Sequence, residues 1–238
     1  MNRKNTINYV WVFILINSLF LFTNCNKYEE QIKSYDLPSI ENITNNTFAN
    51  VHIVQSATQS VKIEAPEIVL KNIILEVNDN KLIIDYHKLL PPIFSPTNIY
   101  INIPSLNTYC INGSGNMRMK SLFDSFKTIL LEINGSGSIE ANMNVCDFTT
   151  ILINGSGNAN LCGQCSSQQI QINGSGNVDA LLFETKEANV IIAGSGNCKV
   201  NVDKILKAYI SGSGNIIYKG NPQLNSTITG SGIIQQLH

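Results

Sequence analysis

Ile170-Gln171-Ile172-Asn173-Gly174-Ser175-Gly176-Asn177-Val178-Asp179-Ala180 sets two runs of alternating apolar residues on either side of a Gly-Ser-Gly corner. The tripeptide occurs seven times, starting at Gly113, Gly135, Gly155, Gly174, Gly194, Gly212 and Gly230, with spacings of 22, 20, 19, 20, 18 and 18 residues. Isoleucine stands two residues before every copy: Ile111, Ile133, Ile153, Ile172, Ile192, Ile210 and Ile228. Four residues after the first glycine come Met117, Ile139, Ala159, Val178, Cys198, Ile216 and Ile234. Alternation with period two marks a strand with one buried face. A fixed period near 20 residues marks a solenoid. The chain is therefore expected to be all-β, a parallel β-helix with 18–22 residues per repeat, right-handed by the usual chirality of parallel crossovers. Turns about 4.8 Å apart would stack isoleucine on isoleucine, and seven would span roughly 30 Å. Each repeat reads as strand, corner, strand and a return of variable length.

Fourteen of the sixteen glycines lie in these corners: Gly113 and Gly115, Gly135 and Gly137, Gly155 and Gly157, Gly174 and Gly176, Gly194 and Gly196, Gly212 and Gly214, Gly230 and Gly232. They are read as structural, supplying positive φ or close packing. Asn112, Asn134, Asn154 and Asn173 precede corners, and Asn116, Asn158, Asn177, Asn197 and Asn215 follow them. Asparagine turns the backbone readily and pairs its amides up a stack. That structural use is preferred here to a polar binding stripe. Ser138 and Ile233 stand where the other corners have their following asparagine.

The apolar run Tyr9–Phe22 follows Arg3 and Lys4 and is 14 residues long, too short for a membrane span and the length of a signal-peptide core. It ends in Leu21-Phe22-Thr23-Asn24-Cys25. This resembles a bacterial lipobox, with Phe22 and Asn24 as departures, so residues 1–24 are read as a lipoprotein signal peptide and Cys25 as the lipidated residue. Glu29 and Glu30 follow closely, which resembles the surface-export signal of Bacteroidetes-type lipoproteins. Residues 25–36 read as a tether, 37–238 as one β domain, with 37–110 as irregular first strands or a cap and 111–238 as the regular repeats. Strands are expected near Phe48–Val54 and Val61–Glu64, a strand-turn-strand over 73–84, and a loop near 88–97 marked by Pro91, Pro92 and Pro96, after which Tyr100–Pro104 leads into the first repeat.

Charge is low. Lys+Arg is 16 against 17 Asp+Glu, and residues 25–238 retain 14 basic against 17 acidic. With only Arg3 and Arg118 as arginines, there is no basic face for nucleic acid. The outward position five after each first glycine reads Arg118, Glu140, Asn160, Asp179, Lys199, Ile217 and Gln235. Arg118 beside Glu140 and Asp179 beside Lys199 look like compensating pairs on adjacent rungs, each worth little. Gly-Ser-Gly is not the Gly-x-Ser-x-Gly nucleophile elbow. The histidines His52, His87 and His238 are dispersed. Cys162 and Cys165 form half a zinc or redox motif with nothing to complete it. Cys198 falls on the buried ladder. Cys146 and Cys165 hold nearly equivalent positions in successive repeats, so whether Cys146 forms a cross-rung disulfide with Cys165 or Cys162 is left open. No cofactor, metal or catalytic residue is expected.

The order of a lipoprotein-like start, Phe48-Ala49-Asn50-Val51, the segment around Asn78-Asp79-Asn80-Lys81-Leu82-Ile83-Ile84, then Asn98–Pro104 and the Gly-Ser-Gly-Asn corners resembles the auto-transporter adhesin head GIN domain family over about residues 37–238. The resemblance implies a parallel β-helix on an exported protein and carries no catalytic residues. The expected function is a lipid-anchored, non-catalytic, adhesin-like module at the outer membrane or cell surface. A periplasmic location is the alternative. Its partners would be the membrane, through the anchor, and a glycan or envelope protein. A carbohydrate-active enzyme on the same scaffold and a self-associating homo-oligomeric scaffold are the competing readings.

Overall fold

The computed structural model describes residues 29–87, 96–124 and 127–237. Residues 1–24, Cys25, the part of the expected loop holding Pro91 and Pro92, and His238 lie outside the described residues.

The chain opens with β1 (Glu30–Tyr35), β2 (Asn42–Asn45), β3 (Asn50–Gln55), β4 (Ser60–Pro66) and a single helical turn, α1 (Glu67–Leu70). It continues with β5 (Ile73–Asn78), β6 (Lys81–Tyr86), β7 (Asn98–Ile103), β8 (Thr108–Ile111), β9 (Asn116–Met119) and β10 (Phe123–Asp124). The regular part holds β11 (Thr128–Gly135), β12 (Ser138–Gly155), β13 (Asn158–Gly174), β14 (Asn177–Gly194), β15 (Asn197–Gly212), β16 (Asn215–Lys219), β17 (Gln223–Gly230) and β18 (Ile233–Gln236).

From β8 onward successive repeats pair in parallel, glycine on glycine: Gly135 on Gly155, Gly155 on Gly174, Gly174 on Gly194, Gly194 on Gly212 and Gly212 on Gly230. Strands running into the corners form an entry face and strands leaving them an exit face. The expected variable return is itself strand, since β12 to β15 each run from one corner to the next. Differences in repeat length are absorbed as register irregularities, as between Met143 and Cys146 or Ala180 and Glu184. Each rung thus keeps its ladder hydrogen bonds while a local bulge takes up the extra residue.

The isoleucine column is the core. Ile111, Ile133, Ile153, Ile172 and Ile192 are all fully buried, as are Tyr109, Leu131, Ile151, Ile170 and Val190 two residues upstream. Both columns belong to one continuous apolar cluster that runs from Ile40 to Ile216. Burying an isoleucine contributes about 2–3 kcal/mol, so the repeated column outweighs any single surface contact.

At the corners the two glycines meet overlapping demands. Gly174 sits at φ +132°, a backbone conformation that a side chain resists. Gly176 has no such angle, yet a Cβ there would lie 2.6 Å from the Gly157 carbonyl oxygen and 2.5 Å from Ile153 Cγ2. Gly174 carries both constraints, since a Cβ there would also lie 2.4 Å from the Gly155 carbonyl oxygen, whereas Gly176 answers to the close approach alone. The Gly155 carbonyl accepts from the Ser175 and Gly176 N–H groups at 2.9 and 3.0 Å, and the same pair of bonds recurs from Gly174 and Gly194 to the rungs above them.

The first rungs stack out of chain order. β2 lies between β6 and β8, and β3 between β7 and β9, all in parallel, so the β6–β7 rung precedes the β2–β3 rung in space. Antiparallel strands close this end: β5 on β6, β4 on β7 and β1 on β4. The β5–β6 turn is made by Asp79 and Asn80 at φ +50° and +59°, the left-handed pair that a tight two-residue hairpin requires. β1 lies inside the stretch expected to be a tether. It is a strand although its side chains are mostly exposed, because what it supplies is main-chain pairing for the edge of β4.

Candidate functional site

The exit face carries two outward columns along the solenoid. One reads Asn98, Asn50, Asn116, Ser138, Asn158, Asn177, Asn197 and Asn215 from rung to rung. Its amides bond lengthwise: Nδ2 of Asn177, Asn197 and Asn215 each donates to Oδ1 of the asparagine one rung below, at 2.9 Å. Ser138 joins the line on one side only, its hydroxyl donating to Asn116 Oδ1 at 2.6 Å. A second ladder on the entry side links Asn46, Asn112, Asn134, Asn154 and Asn173 at 2.8–2.9 Å. The pairing role expected of these asparagines is therefore present.

The pairing does not exhaust them. An asparagine amide has two N–H donors and an oxygen with two lone pairs. A lengthwise ladder uses one donor and one lone pair per residue, leaving one of each facing outward on every rung, about 4.8 Å apart. A groove of about 790 Å³ lies along this part of the exit face, lined by Asn158, Asn177, Asn197 and Asn215. On its other side stand Asn160, Asp179, Lys199, Ile217 and Gln235 from the second column. The two charges are spent on each other, with Lys199 Nζ 3.3 Å from Asp179 Oδ2. Lower in the same column, Arg118 and Glu140 form a second pair, with Nη2 2.6 Å from Oε1. That bond holds the Glu140 carboxyl below the usual carboxylate range. Both pairs expected from the rung spacing form, and the groove is left without net charge, its lining including Val178, Ile216 and Ile233 beside the polar side chains.

Below Arg118 the second column continues into His52 and Tyr100, whose rings stack with centroids 5.1 Å apart. The Tyr100 hydroxyl donates to Glu64 Oε2 at 2.8 Å. Partial burial, with Lys120 and Arg118 nearby, lowers the His52 pKa below the usual histidine value. The unfolded chain then takes up a proton at a pH where the folded one does not. Stability is expected to be full above about pH 6.5 and to decline as the pH falls from there toward the lower folded-state value. Thermal melts between pH 7.5 and 5 check this. His52→Gln should flatten that part of the profile, and an unchanged slope would refute the assignment to His52.

A second groove of about 480 Å³ lies on the short side that joins the exit and entry faces, lined by Gln164, Glu184, Lys186 and Asp203 among others. It is where a glycosidase-like carboxylate pair would have to sit, since the bulged segments supply it. Glu184 and Asp203 are both exposed. Neither is set into the apolar surroundings that poise a carboxyl as a general acid. Among the described residues no group of three or more His, Cys, Asp or Glu side chains is arranged to hold a metal ion.

Sequence comparison places residues 40–222 in a family described as putative auto-transporter adhesin, head GIN domain. The chain belongs to this family. No curated protein matches its sequence. Solved structures share the fold. A putative adhesin from Bacteroides fragilis superposes with a TM-score of 0.81 at 22% identity, covering 88% of this chain and 97% of the other. A protein described as a putative lipid binding protein, from Parabacteroides distasonis, gives 0.73 at 23% identity, covering 89% and 98%. A putative adhesin from Parabacteroides merdae gives 0.64 at 20% identity, covering 89% and 98%.

Within this GIN-domain chain one corner escaped sequence reading. Asn45 to Ala49 turn the rung below Gly113 with no glycine. The buried Asn45 side chain does the work, its Oδ1 accepting from the Thr47 N–H at 3.0 Å and its Nδ2 donating to the Ala49 carbonyl at 3.2 Å. The signal was the asparagine two residues before a threonine, a local turn former, hidden by the search for glycine. The thiols are dispersed: Cys110 is half-buried, Cys162 exposed and Cys198 buried. Burial and the Glu132 carboxylate push the Cys110 thiol up to about 11, and burial likewise raises Cys198. The register pairs Cys146 with Cys165 across adjacent rungs.

Proposed function

We propose that this GIN-domain chain is a non-catalytic, adhesin-like module, exported and held to the envelope by lipid on Cys25, with residues 25 onward displayed. Its exit face takes an uncharged polar chain, a neutral glycan. The observation that carries the ligand class is the asparagine column in the groove. It offers one unspent donor and one unspent acceptor per rung, while the charges beside it are paired. Hydroxyls match that pattern, and an acidic polymer would find no free cation to meet it there. Family membership supports a cell-surface or envelope location. No helix among the described residues is long and apolar enough to cross a membrane.

Two measurements test the reading separately. Intact mass of the chain from its native host should carry a lipid increment that Cys25→Ala loses, and external protease should reach the chain on whole cells. Failure of either removes the anchor or the display. On arrays of neutral and acidic polysaccharides, binding should be confined to neutral chains and fall at least tenfold in Asn177→Leu/Asn197→Leu with the fold intact by circular dichroism. Equal binding by that variant, or a preference for acidic polymers, would remove the groove as the site.

A further inference from the structure

We infer that the C-terminal edge of the solenoid is a self-docking surface, where β17 of one chain pairs antiparallel with β17 of a second copy. The last rung keeps the inward pattern of the others without being covered. Leu224 and Ile228 stack on Leu206 and Ile210 in register. Leu206 and Ile210 are 0% and 2% exposed, whereas Leu224 and Ile228 are 39% and 43% exposed. Every residue of β17 is exposed. β17 pairs with β15 on one side and turns its other edge, a row of N–H and C=O groups, outward.

Exposed edges are normally blunted by lysine, proline, a bulge or a covering strand. The opposite end of the solenoid has this protection: antiparallel strands close it, and β1 carries Glu30 and Lys33. Among the described residues the C-terminal edge has none. Gly220 to Leu237 contain no Lys, Arg, Asp or Glu, and the one proline, Pro222, precedes the strand. Two copies of this edge therefore meet without charge repulsion, and no charged group loses its water.

The strand is also complementary to itself. In an antiparallel pair centred on Ser226, Ser226 opposes Ser226 of the second copy and Leu224 opposes Ile228. Inward residues then face inward residues, and the two cores join. A head-to-tail contact would instead set this uncharged edge against the charged, antiparallel cap. The two-fold contact is closed, so it stops at a dimer. Such a dimer holds two exit faces in one particle, which would raise avidity for a repeating ligand.

The full chain, purified in detergent, should sediment as a dimer at tens of micromolar, and Ile228→Lys should sediment as a monomer with an unchanged circular dichroism spectrum. Ser226→Cys should give a disulfide-linked dimer on mild oxidation, because residues opposed in an antiparallel pair have Cα atoms within disulfide reach. The wild type and Ser34→Cys, which places the thiol at the capped end, should give none above background. A monomeric wild type, or equal cross-linking by Ser34→Cys, overturns the inference. Neutral-glycan binding measured on the Ile228→Lys monomer keeps this result separate from the ligand reading.

Discussion

Gly194→Ala is expected to be among the most damaging single substitutions in the chain, and Gly113→Ala, the same change at the same place in the motif, far milder. At Gly194 the backbone is at φ +134°, and a Cβ would stand 2.3 Å from the Gly174 carbonyl oxygen and 3.0 Å from its carbon. Both neighbours are backbone and carry the ladder bonds to Ser195 and Gly196, so neither can yield without parting two rungs. Strain of this kind costs about 1–3 kcal/mol and overpacking a further 1–3 kcal/mol, which together approach the stability of an ordinary domain. At Gly113 the nearest atom is the Thr47 carbonyl oxygen at 3.6 Å, ordinary contact distance. The corner below it is the Asn45–Ala49 turn, which stays clear of Gly113 and makes its close approach at Gly115 instead, where a Cβ would lie 2.7 Å from the Thr47 carbonyl oxygen. Gly113→Ala should cost about 1 kcal/mol, from the backbone angle alone. Urea unfolding of both variants decides the matter. Similar losses would mean that the steric stack is not what the glycines are for. Because rungs depend on their neighbours, hydrogen exchange in Gly194→Ala should rise on both sides of the altered rung, over 167–212, before it rises in the cap.

The contrast between those two glycines shows how far the sequence could be read. Wherever a rung rests on an identical rung, the same steric demand recurs, and recurrence is visible: the isoleucine column, the corners and the lengthwise asparagines were all legible. The Arg118–Glu140 and Asp179–Lys199 pairs followed once like positions were laid over one another. The cap was not legible in the same way. β6 and β7 stack beneath β2 and β3 although they follow them in the chain. That order is fixed by which edges need covering, and no repeat records it. β1 gave no signal because its contribution is hydrogen bonds, while its outward residues, Ile32 among them, stay exposed. The groove was half legible. The polar stripe could be seen, but its unspent donors and acceptors depend on which way each amide bonds, and only the stacked geometry shows that.

A double-substitution cycle at Ile133 and Gly157 tests the claim that column and corner form one steric unit. Ile133 is fully buried, and Ile133→Ala should cost about 3 kcal/mol, the lost transfer energy plus the cavity it leaves. Gly157→Ala should cost about 2–3 kcal/mol by overpacking, since its Cβ would fall 2.5 Å from Ile133 Cγ2 and 2.8 Å from the Gly137 carbonyl oxygen. The two losses should not add. Ile133→Ala removes the atom that the new methyl strikes hardest, and the methyl fills part of the space vacated. The double variant should therefore be at least 1 kcal/mol more stable than the sum of the singles predicts, within the range seen for residues in contact. At Gly194 no such relief is available, because the obstruction there is backbone alone. Ile133→Ala combined with Gly194→Ala, two sites separated along the stack, should be additive. Additivity at both pairs would show that corner glycines and core isoleucines act independently and that the corners are kept small for the turn alone. Coupling at Gly157 without coupling at Gly194 would show that each isoleucine sets the room left for a corner on the next rung. In that case the invariant spacing of isoleucine to corner within this chain is a packing constraint, which leaves the outward columns of the exit face free to carry the ligand.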